Sequence, residues 1–120
     1  MTIIRIITKS MIDDFAKVSG DFNPIHMDDE YAKTTKFKKR ICHGMLLGSF
    51  ISQYISQKYP KSIYVSQSLT FHKPCYISDK IKISSNILDI KENKITIKTL
   101  ITKDDKIIVD GIAEIMVKKE

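Results

Sequence analysis

The hydrophobic period of this chain changes once, at Pro60, and that change limits the folds open to it. Between His43 and Lys58, the residues Met45, Leu46, Leu47, Phe50, Ile51, Tyr54 and Ile55 recur at helical spacing and form one broad apolar face. The spacing predicts a largely buried helix that Pro60 closes. Beyond Pro60 the period is two. Ile63, Val65, Gln67, Leu69 and Phe71 alternate up to Pro74, then Ile81, Ile83, Ser85 and Ile87, then Ile95, Ile97, Thr99 and Ile101, and last Ile107, Val109, Gly111, Ala113, Ile115 and Val117. The turns Lys91-Glu92-Asn93-Lys94 and Lys103-Asp104-Asp105-Lys106 are short and polar, as hairpin connections are, and a phase shift at Ile87-Leu88 predicts a bulge. An antiparallel sheet with one apolar face must cover that face, and one long apolar helix is available to do so. The expected fold is therefore α+β, an antiparallel sheet wrapped around a central helix.

The first forty residues complete the pattern. Residues 2–7 predict an Ile-rich strand. Ser10 stands as an N-cap with Asp13 in a capping-box position, and Met11, Phe15 and Val18 share one face of a helix over 10–19 that Gly20 stops. Residues 20–42 form a polar connection with one short helical turn near 28–34, long for so small a chain, and long ordered connections usually carry function.

A chain of 120 residues predicts one domain over 1–120. Its net charge of +6 invites a nucleic-acid reading, but of 20 basic residues only Arg5 and Arg40 are arginine, and the lysines are scattered without interleaved aromatics. Nucleic acid is set aside as a partner. The dense run Lys36-Phe37-Lys38-Lys39-Arg40 is either a solvated loop or a landing strip for an anionic group such as a nucleotide phosphate. No apolar stretch is long enough to span a membrane, and the start lacks the layout of a secretory signal, so a soluble cytoplasmic protein is expected, with Cys42 and Cys75 as free thiols.

The chemistry concentrates in Ser19-Gly20-Asp21-Phe22-Asn23-Pro24-Ile25-His26 and Cys42-His43-Gly44-Met45-Leu46. Pro24 fixes its own φ and holds Asn23 extended, which stiffens the stretch between Asp21 and His26. A carboxylate acceptor and a switchable imidazole on such a loop can hold one water between them for acid/base work. Gly44 begins the buried helix, where a backbone N–H has no intrahelical partner and a missing side chain lets an oxygen approach. Each residue also has a plain structural reading: Asp21 and Asn23-Pro24 as a turn, His26 as a hydrogen-bonded structural histidine. His43 is expected to cap or orient the helix entrance and His72 to lie on the surface. A metal site from Asp21, His26, Cys42 and His43 matches no recognised ligand spacing, and none is expected.

These residues carry a resemblance. Asp21, Asn23, Pro24 and His26 match the Asp-x-Asn-Pro-x-His element, and His43 to Leu46 the His-Gly-Met-Leu opening of the central helix, in the MaoC-like, (R)-specific enoyl-CoA hydratase family. Ser62 to Phe71 resembles the first long strand after that helix. The likeness implies a hot-dog fold and a homodimer or dimer of dimers whose sheets join edge to edge, with active sites near the subunit interface. It implies reversible syn hydration of trans-2-enoyl-CoA to (R)-3-hydroxyacyl-CoA, with Asp21 and His26 as the acid/base pair, Gly44 at the thioester oxygen, and Asn23 and Ser52 in support. Ser52 reads equally well as a small core residue bonded to a helix carbonyl. The coenzyme A thioester is then substrate, with no further cofactor. Hot-dog folds also serve 3-hydroxyacyl-thioester dehydratases acting on acyl carrier protein, thioesterases and non-enzymatic acyl-CoA-binding modules. Lys39-Arg40-Ile41 departs from the arginine and proline that many relatives carry before His-Gly, and no extra segment is evident to extend an acyl tunnel.

Overall fold

The computed structural model describes residues 1–117. Its centre is helix α4 (Gly44–Lys58), which buries Leu46, Leu47, Phe50, Ile51, Tyr54 and Ile55. Burying a side chain of this size contributes about 1.5–3 kcal/mol, so this one face supplies much of the drive to fold. Tyr54 is fully buried and satisfies its hydroxyl on Ser85 Oγ at 2.7 Å. Met45 is the exception to the predicted face: it is 60% exposed and turns toward the cavity described below.

The strands β1 (Ile3–Ile6), β2 (Ile63–Gln67), β3 (Thr70–Phe71), β4 (Lys80–Lys91), β5 (Lys94–Lys103) and β6 (Lys106–Met116) form one antiparallel sheet in the order β1-β4-β5-β6-β2, with β3 also on β6. Its inner face presents Ile81 and Ile83 from β4, Ile97 and Ile101 from β5, and Ala113 and Ile115 from β6, all packed in one cluster with α4. This curled sheet around a helix is the α+β hot-dog arrangement. The expected bulge falls between Ile87 and Asp89. The β5–β6 turn places Asp104 and Asp105 at φ 50° and 62°, the left-handed pair that a tight two-residue hairpin requires.

Four expectations need correction. Helix α1 (Lys9–Ser19) begins before Ser10, because Thr8 takes the N-cap and accepts from the Met11 N–H at 3.2 Å. Its buried residues are Ile12 and Ala16, while Val18 is 86% exposed. The single strand expected up to Phe71 is split into β2 and β3, and Ile63 and Val65 stand exposed on the edge strand. In β6 a register shift near Thr102 turns Ile107 outward and Ile108 inward. No helix among the described residues is long and apolar enough to cross a membrane.

Candidate active site

The loop after α1 is built from side chains that cap its own backbone. Gly20 ends α1 at φ 79°, a conformation that costs glycine nothing, and its N–H bonds the Ala16 carbonyl. Asp21 Oδ1 accepts from the Asn23 N–H at 3.1 Å. Asn23 Oδ1 in turn accepts from the Ile25 N–H at 3.1 Å and starts α2 (Pro24–Met27), with Pro24 in the first turn. Asp28 then caps α3 (Asp29–Lys33). The sequence predicted one helical turn near 28–34; the structure holds two, and the earlier one carries His26.

His26 is fixed from the far side of the loop. Its Nδ1 lies 2.8 Å from the Ile41 carbonyl oxygen. A carbonyl only accepts, so Nδ1 carries the proton and Nε2 is left as a bare acceptor. Burial lowers the His26 pKa, the Ile41 carbonyl and the Asp21 charge pull it up, and the neighbouring His43 and Arg40 push it down; the net direction is downward from the ordinary 6.5. His26 is therefore a neutral imidazole near neutral pH.

His43 lies beneath it. The two rings stack with centroids 4.1 Å apart and planes at 28°, and Phe15 backs His43 at 5.0 Å. His43 is 1% exposed and bonds through Nε2 to the Asp21 backbone oxygen at 2.9 Å. It makes no side-chain cap to α4, so of the two roles expected for it the structure shows orientation rather than capping. Donor atoms of Asp21, His26 and His43 all lie within 4.8 Å of one another, the one such cluster among the described residues. Two of its nitrogens are engaged by backbone oxygens. That arrangement fixes the orientation of both rings.

Asp21, His26 and Gly44 line one cavity of about 520 Å³. Phe37, Ile41, Met45, Leu47, Phe71 and Pro74 give it apolar walls suited to an acyl chain, and Lys36, His72 and Lys73 bring positive or titratable groups to it. Gly44 has no hydrogen-bond partner for its N–H among the described residues. A Cβ there would come within 2.8 Å of the Phe71 ring, so glycine is what lets β3 close over the helix start. Phe71 was legible only as an alternating strand residue; nothing in its period marks it as the wall beside Gly44. His72 is exposed as expected, but it also belongs to the cavity and bonds Asp110 Oδ1 at 3.1 Å.

One expectation fails here, and the two readings of the basic run are narrowed. Ser52 is exposed and does not line the cavity: it sits eight residues along α4 from Gly44, about 12 Å at 1.5 Å per residue. The basic run does not act as a unit. Arg40 is 5% exposed and donates from Nε to the His26 carbonyl at 2.5 Å and from Nη2 to Asp13 Oδ1 at 3.2 Å. Lys38 and Lys39 line a separate hollow with Asp29 and Glu30. Only Lys36 and Phe37 of the run reach the site. Because Arg40 ties α1 to α2, Arg40→Ala leaves the half-buried His26 carbonyl without its partner. It is expected to lower stability by about 1–3 kcal/mol in denaturant unfolding, and an unchanged midpoint would show that Arg40 does not hold this loop.

The comparisons with known proteins agree with this geometry. A chain described as (R)-specific enoyl-CoA hydratase from Rhodospirillum rubrum is 38% identical over 97% of this chain and 83% of its own length. A mitochondrial 3-hydroxyacyl-[acyl-carrier-protein] dehydratase of Arabidopsis thaliana is 40% identical over 75% of this chain, which spans about half of it (54%). The crystal structure of the (R)-hydratase from Aeromonas caviae superposes with a TM-score of 0.93 at 32% identity, covering 98% of this chain and 93% of that one. The sequence profile of the MaoC-like domain matches residues 3–109, nearly the whole length over which the sheet, the central helix and the Asp21–His26 loop are built, and the chain belongs to that family.

Proposed function

We propose that this protein is an (R)-specific enoyl-CoA hydratase in which Asp21 and His26 add water to trans-2-enoyl-CoA. The observation that carries the reading is the tautomer of His26: its proton is committed to Ile41, Nε2 is left as a bare acceptor, and the His26 ring and the Asp21 carboxylate come within 4.8 Å of one another in the wall of one cavity. A water held between the two loses a proton to Nε2 as its oxygen attacks C3 of the enoyl group. The imidazolium so formed, stabilised by Asp21, returns a proton to C2 from the same face. One-sided delivery makes the addition syn. The Gly44 N–H, at the positive end of α4, meets the negative charge that develops on the thioester oxygen.

A fall in the conjugated enoyl absorbance without release of free thiol supports hydration. Thiol release would identify a thioesterase, and binding without turnover a non-enzymatic module. Acyl carrier protein as the carrier is the second reading, supported by the plant dehydratase likeness. Parallel assays with enoyl-CoA and enoyl-carrier substrates decide between them; the CoA reading expects the higher kcat/KM with CoA.

The reaction needs neutral His26. Its lowered pKa means that the unfolded chain binds a proton more readily than the fold does. Stability from this group is thus present above 6.5 and is lost as pH falls through the folded value. The acid limb of kcat/KM is expected to lie below 6.5, and an acid limb above that value would contradict a half-buried neutral base.

Coenzyme A carries phosphates, and Lys36 and Lys73 sit in the cavity wall. Reversing both charges is expected to raise KM more than it lowers kcat, with KM rising in added salt. A KM indifferent to salt and to both reversals would remove the lysines from substrate binding. We also infer a homodimer joined through the exposed edge strand β2, where unpaired backbone and the exposed Ile63 and Val65 favour a strand partner. A monomeric mass in sedimentation would contradict it.

A further inference from the structure

Cys42 and Cys75 are the only cysteines in the chain, and the fold sets them opposite one another. Ile41 and Tyr76 form an antiparallel bridge, and the Cys42 N–H donates to the Cys75 carbonyl at 2.8 Å. Residues paired in this way across an antiparallel ladder have Cα atoms about 5.5 Å apart, inside the span of about 4.4–6.8 Å that a disulfide needs. Side chains of residues directly opposite one another stand on the same side of the pair, and the Cys42 thiol donates to the His43 carbonyl at 3.6 Å. Both residues are buried, at 5% and 1% exposure, and both line the site cavity. The hydration chemistry uses neither of them. The interaction between the two side chains pushes the Cys42 thiol up and holds Cys75 below the ordinary thiol range, which favours Cys75 as the attacking sulfur.

We propose that Cys42 and Cys75 are a redox-sensitive pair that closes to a disulfide when a hydroperoxide enters the cavity, and that closure unseats His26. The Cys75 thiolate attacks one peroxide oxygen and the O–O bond breaks. With hydrogen peroxide this leaves Cys75 as a sulfenic acid and hydroxide, which takes a proton to become water. The Cys42 sulfur then attacks the Cys75 sulfur. The S–O bond breaks, and the departing hydroxide takes the Cys42 proton as a second water. Two electrons pass from the thiols to the peroxide.

Bonded sulfurs lie about 2.05 Å apart, much closer than two unbonded thiols, so closure draws residue 42 toward residue 75. On one side of Cys42, the Ile41 carbonyl holds the Nδ1 proton of His26; on the other, His43 stacks on the His26 ring. Both neighbours carry the displacement to the base. A misplacement near 1 Å can cost about 10²-fold in rate. This consequence rests on the hydratase reading; the disulfide itself does not.

The test treats the purified full chain with equimolar hydrogen peroxide, alkylates it under denaturing conditions and records intact mass beside the hydration rate. The expected product is a single chain lighter by two hydrogens, with both thiols lost together and hydration reduced by about 10–100-fold. Dithiothreitol should restore thiols and rate alike. Cys75→Ser is expected to keep one alkylatable thiol and to yield no chain lighter by two hydrogens. Two thiols that stay alkylatable, oxygen adducts, or cross-links between chains would each overturn the pair. A disulfide that leaves the rate unchanged would overturn the coupling to His26. If the reduced protein hydrates no enoyl-thioester, the hydratase reading fails, while mass and alkylation still decide the disulfide.

Discussion

His26→Ala is expected to lower kcat by about 10²–10⁴-fold, and Asp21→Asn by a similar factor, equivalent to about 3–5 kcal/mol of transition-state stabilisation. The two act on one water, so each loss removes the same proton relay. The double variant should therefore cost little more than the worse single one. Stability should change far less than rate. The Asp21 side chain caps a single backbone N–H, that of Asn23, and asparagine retains an oxygen able to accept it. His26 adds one bond to the Ile41 carbonyl and its stack on His43. Denaturant unfolding beside steady-state kinetics separates the two effects. Near-native hydration in either single variant would remove that residue from the chemistry.

The second large effect is expected at Gly44. Losing an oxyanion donor typically costs about 10²–10³-fold in kcat, near 3–4 kcal/mol. Gly44→Val is expected to approach that loss, because its side chain occupies the space the thioester needs and shifts the first turn of α4. The rival cause is steric: any Cβ at 44 meets the Phe71 ring at 2.8 Å. Pairing Gly44→Val with Phe71→Ala makes room for the added side chain and so separates the causes. The double variant is expected to remain nearly inactive while circular dichroism and a cooperative melt show it folded. Recovery of the rate in the double variant would assign Gly44 to packing against Phe71 alone.

The fold was legible where burial and period coincide. The apolar positions of α4 and the alternation of β5 and of the first half of β4 are consequences of facing one core, so their spacing revealed them; past Ser85 the alternation of β4 misleads, and Ile87 stands exposed. Legibility failed where a neighbour in space decides. Thr8 and Ser10 are both good N-caps, and sequence alone does not rank them. Ile107 and Ile108 are chemically alike, and only the register shift against β5 determines which one points inward. In the site, Asp21, His26 and Gly44 stood out through residue type and spacing. The acceptor that sets the His26 tautomer did not, because a backbone carbonyl carries no signature in the sequence. Arg40 looked like one more surface cation, since a run of charges says nothing about which member turns inward to Asp13 and the His26 carbonyl. Ser52 failed for a related reason: along α4 a serine sits as readily on the solvent face as on the site face.

In the proposed reaction one pair, Asp21 and His26, adds both parts of water from a single face of the substrate. Hydration of trans-2-enoyl-CoA in deuterium oxide, followed by determination of configuration at C2 and C3 of the product, tests it most directly. The expected product is (R)-3-hydroxyacyl-CoA with deuterium at C2 delivered to the face that received the hydroxyl, and with no free thiol released. An (S)-alcohol, an anti disposition of deuterium and hydroxyl, or liberated coenzyme A in place of the alcohol would contradict it.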